Sequence, residues 1–103
     1  MIGSVDVVQS GSASYKAKKG LIKIKLEVDE GKIKDLRIEG DFFFYPEDRL
    51  WDLEKNLVGC KVEVEELTQR IAEFYKSNDI SSPGVKPEDF AKAIILAAKS
   101  VAV

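Results

Sequence analysis

One stretch of this chain leaves little freedom of fold. Ile22, Ile24, Leu26 and Val28 alternate without a break with Lys23, Lys25, Glu27 and Asp29. Side chains two apart share a face only on an extended backbone, so the period predicts a strand, set over residues 14–29, with one apolar and one charged face. Glu30-Gly31 supplies a tight turn, the glycine being free to take positive φ. A second strand follows at about 32–39. There Leu36 and Ile38 keep the alternation while Ile33 falls out of phase, which a bulge near Lys34 or a strand start at that point explains. The resulting antiparallel hairpin has one wet face, and something else in the chain has to cover the other.

The second half supplies the cover. Pro46 is expected to open a first helix, with Glu47 and Asp48 in its first turn, Leu50, Leu53 and Leu57 as its apolar stripe and Trp51 flanking. Gly59 reads as its left-handed cap. A second helix is expected over about 63–77, with Leu67, Ile71, Phe74 and Tyr75 on one face. After a polar loop through Ser81-Ser82-Pro83-Gly84, a third starts at Pro87, with Phe90, Ala91, Ile94, Ala97, Ala98 and Val101 facing inward. At the other end, Val5-Asp6-Val7-Val8 favours β structure and Ser10-Gly11-Ser12 reads as a turn or connector, so residues 1–13 are expected as an arm or short edge strand. Residues 14–103 then form one domain. Strands first, then helices on one sheet face, predicts an α+β two-layer domain.

Composition excludes several classes of function. At 103 residues, 45% hydrophobic and 33% charged, the chain is a globular unit, not a disordered one. A net charge of −2 gives no general field for nucleic acid or membrane, although residues 1–37 hold eight Lys/Arg against five Asp/Glu and residues 38–103 eight against thirteen. With one cysteine and no histidine, the sequence offers no internal disulfide, no Ser-His-Asp or Cys-His pair and no transition-metal site. Cys60, beside Gly59 at a helix end, is expected to be structural. The acidic clusters Glu47-Asp48, Glu63-Glu65-Glu66 and Glu88-Asp89 all fall at expected helix starts, where dipole complementarity accounts for them. No signal peptide or membrane-spanning run is evident, and the expected location is cytoplasmic.

Two stretches resist so plain an account. Tyr15-Lys16-Ala17-Lys18-Lys19-Gly20 is a basic run entering the long strand. Gly40-Asp41-Phe42-Phe43-Phe44-Tyr45-Pro46 carries four consecutive aromatics, which cannot all enter one core from an extended chain. Either some of them form a contact surface, or the segment wraps the sheet edge and buries most of them.

With those residues in view, the run Gly31-Lys32-Ile33-Lys34-Asp35-Leu36-Arg37-Ile38-Glu39-Gly40-Asp41-Phe42-Phe43 resembles the hairpin and GDFF signature of the lipoate–protein ligase C-terminal domain. The likeness continues through Pro46-Glu47, Leu57-Val58-Gly59-Cys60 and Pro87-Glu88-Asp89-Phe90-Ala91-Lys92-Ala93-Ile94, and covers about residues 15–98. It implies a fold similar to the SufE/NifU scaffold. It also implies a non-catalytic accessory subunit, or detached C-terminal domain, of an archaeal-type two-component ligase. Such a subunit partners a catalytic chain and, indirectly, lipoyl carrier domains. That complex uses ATP, Mg2+ and lipoate to make lipoyl-AMP, and no cofactor is bound by the small subunit alone. The partner- or adenylate-facing residues it suggests are Lys16, Lys18, Lys19, Gly20, Gly40, Asp41, Phe42, Phe43, Phe44 and Tyr45. The resemblance departs from the family pattern at Lys18-Lys19-Gly20, where a Lys near paired glycines is expected, and at residues 1–13, which have no clear counterpart. Two other classes stand beside this one: a protein- or nucleic-acid-binding module using Lys23, Lys25 and Arg37, and a sulfur-transfer or iron–sulfur-related protein, which would need Cys60 exposed and reactive.

Overall fold

The computed structural model describes residues 8–101; the expected β run at Val5–Val7 lies outside them. Three strands, β1 (Gln9–Ala17), β2 (Gly20–Asp29) and β3 (Lys32–Asp41), precede three helices, α1 (Arg49–Leu57), α2 (Val64–Asn78) and α3 (Pro87–Lys99). The sheet is antiparallel in the order β1-β2-β3. Its covered face carries Ile22, Ile24, Leu26 and Val28 from β2, with Ile33, Leu36 and Ile38 from β3, all buried, while Lys23 and Lys25 are exposed on the other. α3 lies on β1 and β2, α1 lies on β3, and α2 packs against the two other helices. This is the expected α+β arrangement.

The phase slip at Ile33 is a bulge. Val28 pairs with Ile33 but Glu27 pairs with Asp35, so Lys34 is the extra residue. One inserted residue returns Ile33 to the face of Leu36 and Ile38. Glu30 and Gly31, at φ of 52° and 76°, make the expected β2–β3 turn.

The expected strand over 14–29 is in fact two strands. Lys18-Lys19 turns the chain, and Ala17 pairs with Gly20. Neither lysine takes the positive φ that marks the commonest two-residue hairpins, so turn chemistry gave no warning. The expected turn at Ser10-Gly11-Ser12 is also strand: these residues pair with Glu27, Leu26 and Lys25. Their small size serves packing. A Cβ on Gly11 would stand 2.1 Å from the Ala97 carbonyl oxygen, and the Ser12 amide donates to Ser100 Oγ at 2.9 Å. The division expected after residue 13 therefore falls inside β1.

The helix starts also shift. Pro46 opens a turn instead of α1: Arg49 and Leu50 donate to the carbonyls of Pro46 and Glu47, and the helix proper begins at Arg49. Glu47 thus precedes the helix and Asp48 is its N-cap. Gly59, at φ 89°, follows the helix end as expected. α3 begins at Pro87, with Asp89 accepting from the Lys86 amide at 2.8 Å.

Candidate functional site

Antiparallel register brings the two unexplained stretches to one end of the sheet. Lys16 lies opposite Leu21, and Leu21 opposite Asp41, so the β1–β2 turn and the exit of β3 are neighbours. Two glycines permit the close crossing there. A Cβ on Gly20 would stand 2.8 Å from both the Asp41 carbonyl oxygen and Phe42 Cβ. At Gly40, φ is 135° and a Cβ would stand 2.0 Å from the Leu21 carbonyl oxygen. Both act through backbone packing; neither has a side chain to offer a ligand.

Beyond Asp41 the chain stays extended, and its aromatics alternate. Phe42 is half-buried, edge-on to Phe90 with centroids 5.3 Å apart. Phe44 is buried, edge-on to Tyr75 and Phe90 at 5.9 and 6.1 Å. Phe43 and Tyr45 point out, 60% and 45% exposed, and stack on each other with centroids 6.2 Å apart and planes at 16°. The two readings of this segment are each half realised: two rings anchor it and two form a surface.

The loop between α2 and α3, by composition only a polar connector, ties these pieces together. Tyr45 and Ser81 exchange both backbone hydrogen bonds at 2.8 and 2.9 Å, and the Lys19 amide donates to the Gly84 carbonyl at 3.1 Å. Ser82 Oγ donates to the Val85 carbonyl at 2.7 Å and lies 2.6 Å from the Tyr75 hydroxyl. Its one proton being committed, the tyrosine must be the donor to it. Burial pushes the Tyr75 hydroxyl up to about 12, so it keeps its proton at any physiological pH. The lysine tip and the outward aromatic pair are thus braced on one loop.

Lys16, Lys18 and Lys19 are exposed and, among the described residues, form no ion pair within 4.0 Å. Lys86 and Lys92 join Lys18 around an open groove that also holds Glu88 and Asp89. These two further lysines are sixty and more residues from the first in sequence, and no local pattern links them. Elsewhere, Cys60 is buried, with Sγ 3.5 Å from Glu66 Oε2. Burial first, and the Glu66 contact second, push its thiol up. The exposed, reactive thiol that sulfur transfer requires is therefore not what Cys60 offers. Among the described residues no three His, Cys, Asp or Glu side chains gather as metal ligands, and no helix is long and apolar enough to cross a membrane.

Comparison with known proteins places this geometry among relatives. Residues 11–94 match the family described as bacterial lipoate protein ligase C-terminus. The chain is similar to lipoate-protein ligase A subunit 2 of Thermoplasma acidophilum, 46% identical over 83 residues, covering 81% of this chain and 85% of that protein. It is also similar to lipoate–protein ligase 1 of Staphylococcus aureus, 39% identical over 59 residues, which are 57% of this chain but 17% of that longer protein. Among solved structures, it resembles a chain from an archaeal lipoylation system, a bipartite lipoate protein ligase and its E2 lipoyl domain from T. acidophilum. The TM-score is 0.76 at 42% identity, over 85% of this chain and 97% of that one.

Proposed function

The chain belongs to the lipoate protein ligase C-terminal family, and from that premise we propose that it is the accessory subunit of a two-component lipoate–protein ligase. It supports ATP-dependent activation of lipoate to lipoyl-AMP, from which the lipoyl group passes to carrier-domain lysines. The catalytic subunit holds ATP, Mg2+ and lipoate, in the cytoplasm. On this reading the grooves of the chain lie open at the surface, as a docking face requires. Its contribution is a face.

The observation that carries the reading is the convergence of Lys16, Lys18 and Lys19 with the stacked Phe43–Tyr45 pair at one braced end. Docked against a catalytic subunit, the aromatic pair supplies apolar contact. The lysines reach either the phosphate side of the adenylate pocket or acidic residues beside it. Closing such a pocket excludes water, strengthens its electrostatics and protects a labile mixed anhydride. Gly20 and Gly40 hold this end in shape; Asp41 closes the last strand pair; Phe42 and Phe44 anchor it from within.

The test is lipoyl-AMP formation by the catalytic subunit with and without this chain. Stimulation is expected on mixing, and to be weakened by the double substitution Lys18→Ala/Lys19→Ala. An unchanged rate on mixing the wild-type subunits refutes the accessory role. An unaltered rate and unaltered docking of the double variant refute only the lysine contact. The nucleic-acid alternative gains nothing from the geometry: Lys23, Lys25 and Arg37 share the open sheet face with Glu27, Asp35 and Glu39.

A further inference from the structure

Six large apolar side chains are exposed among the described residues, and four of them, Phe43, Tyr45, Trp51 and Val58, line two grooves along one flank, where α1 packs beside β3. Single exposed apolar residues are ordinary; their gathering on one flank is not. Trp51 is the extreme case. It is 71% exposed, although it stands on α1 next to Leu50 and two residues from the fully buried Leu53. The groove beside it has Leu36 and Ile38 of β3 on one side and Trp51 and Val58 of α1 on the other. Glu39 lines this groove and also the next, which holds Phe43 and Tyr45. The flank is therefore continuous with the end assigned above to the catalytic subunit.

The chemistry of an occupant follows from what surrounds the tryptophan. Asp35, Glu39, Glu47 and Glu54 line the two grooves, against Arg37 and Lys55. None of the six is in an ion pair within 4.0 Å among the described residues. An added strand is not the fit. β3 is an edge, but two of its positions are already engaged, which interrupts the run a new strand would need: Ile33 exchanges backbone hydrogen bonds with Gly59 and Cys60, and the Ile38 amide donates to Glu54 Oε2 at 2.7 Å. A second copy of this chain is a poorer fit, since a two-fold contact would bring together two flanks that each carry four carboxylates against two cations.

Resting on the accessory-subunit reading, we propose that the α1–β3 flank is a docking groove for a segment of the catalytic subunit carrying an apolar side chain between Lys or Arg residues. Trp51 packs on the apolar side chain, and Glu39, Glu47 and Glu54 meet the cations. Tryptophan is among the residues enriched at binding hot spots, which lie desolvated near the centre of a contact.

Calorimetric titration of this chain with the catalytic lipoate ligase subunit of the same organism, at low and at moderate salt, tests the groove. Trp51→Ala is expected to raise the dissociation constant at least about thirtyfold, the scale of a hot-spot residue. Its melting midpoint should stay near wild type, because the side chain is mostly outside the fold. Glu39→Gln/Glu47→Gln is expected to flatten the salt dependence of binding. If Trp51→Ala binds as wild type while Lys18→Ala/Lys19→Ala is weakened, the groove is overturned and the accessory reading stands. If the wild-type chain does not bind the catalytic subunit, both fall. If sedimentation shows a self-associated chain that Trp51→Ala dissociates, with partner binding unchanged, the occupant is a second copy and the proposal is overturned.

Discussion

Gly84 and Gly31 form a matched pair of positions that separates backbone strain from packing. Both take left-handed backbone, with φ of 82° and 76°. An alanine at either costs about 1–2 kcal/mol for placing a Cβ in that region. The gain from a stiffer unfolded chain, about 0.4–1 kcal/mol, is common to both. They differ in surroundings. Nothing lies within 4 Å of a Cβ built at Gly31, whereas one at Gly84 would stand 2.3 Å from Lys19 Cβ. That is well inside the carbon–carbon contact distance of about 3.5 Å. The obstacle is the root of the lysine, not its mobile end, so the loop or the hairpin tip has to move by about 1 Å, at an overpacking cost of about 1–3 kcal/mol. The 3.1 Å hydrogen bond from the Lys19 amide to the Gly84 carbonyl stretches with it, adding about 0.5–1.5 kcal/mol. Gly84→Ala is therefore expected to destabilise the chain by roughly 3 kcal/mol more than Gly31→Ala, measured by urea unfolding followed by circular dichroism. The same displacement moves Lys18 and Lys19 relative to Phe43 and Tyr45. Stimulation of lipoyl-AMP formation should then fall for Gly84→Ala at a temperature where both variants are folded, and not for Gly31→Ala. Equal losses of stability in the two variants refute the close contact between the loop and the hairpin tip.

Two titrating groups give further expectations. Burial raises Glu54, offset in part by the Ile38 amide and by Arg37. A carboxyl raised in the folded state binds its proton more tightly there than in the unfolded chain, so its contribution is fully present at low pH and is lost as pH rises from the ordinary value near 4.5 through the elevated one. Urea unfolding from pH 4 to 7 should show stability falling in wild type relative to Glu54→Gln across that window, and a difference that rises or stays flat with pH refutes the assignment. Cys60, buried and with its thiol pushed up from 9.0, should react with a thiol reagent at pH 8 only at the rate of opening, and rapidly in denaturant. Labelling of the native chain at the rate of a free thiol would show the site to be open.

Legibility followed the range of each interaction. The alternation in β2 settles that strand because a two-residue period survives any tertiary context that keeps one face dry. The bulge at Lys34 was readable for the same reason: Ile33 could rejoin the core only by an inserted residue. The errors lie where a small residue has two uses. Ser10-Gly11-Ser12 has turn composition, but Gly11 is there because α3 passes where its Cβ would be, and that helix is encoded some eighty residues later. Lys18-Lys19 carries no turn signature, because this hairpin needs no left-handed residue. At the candidate site the lysine run and the aromatics stood out in sequence, and their adjacency follows from hairpin register. The α2–α3 loop that braces them, with Ser81, Ser82 and Gly84, is joined to them only by tertiary hydrogen bonds. Trp51 read as a helix flank, and only the fold shows that four exposed apolar side chains share that side.

The proposed role also bears on why such an anchor is present. In S. aureus lipoate–protein ligase 1 the matched region is a minor part of a longer chain, and a docking face tied to its partner domain in that way would meet it as part of one molecule. A tether of that kind supplies an effective concentration of the order of millimolar. On the accessory-subunit reading the same contact here forms between separate chains, at about micromolar concentrations. The difference, about a thousandfold, is about 4 kcal/mol that the surface itself has to provide. One desolvated tryptophan with its surrounding charges contributes about 2 kcal/mol or more, and the stacked Phe43–Tyr45 pair is placed to supply much of the remainder. Joining the two subunits with a flexible linker should therefore restore lipoyl-AMP formation to Trp51→Ala, whose defect is affinity. The same linker should leave Lys18→Ala/Lys19→Ala impaired if those lysines act on the closed pocket and not merely in docking. Rescue of both variants to the same degree would assign all three residues to docking alone; rescue of neither would show that Trp51 does more than hold the subunits together.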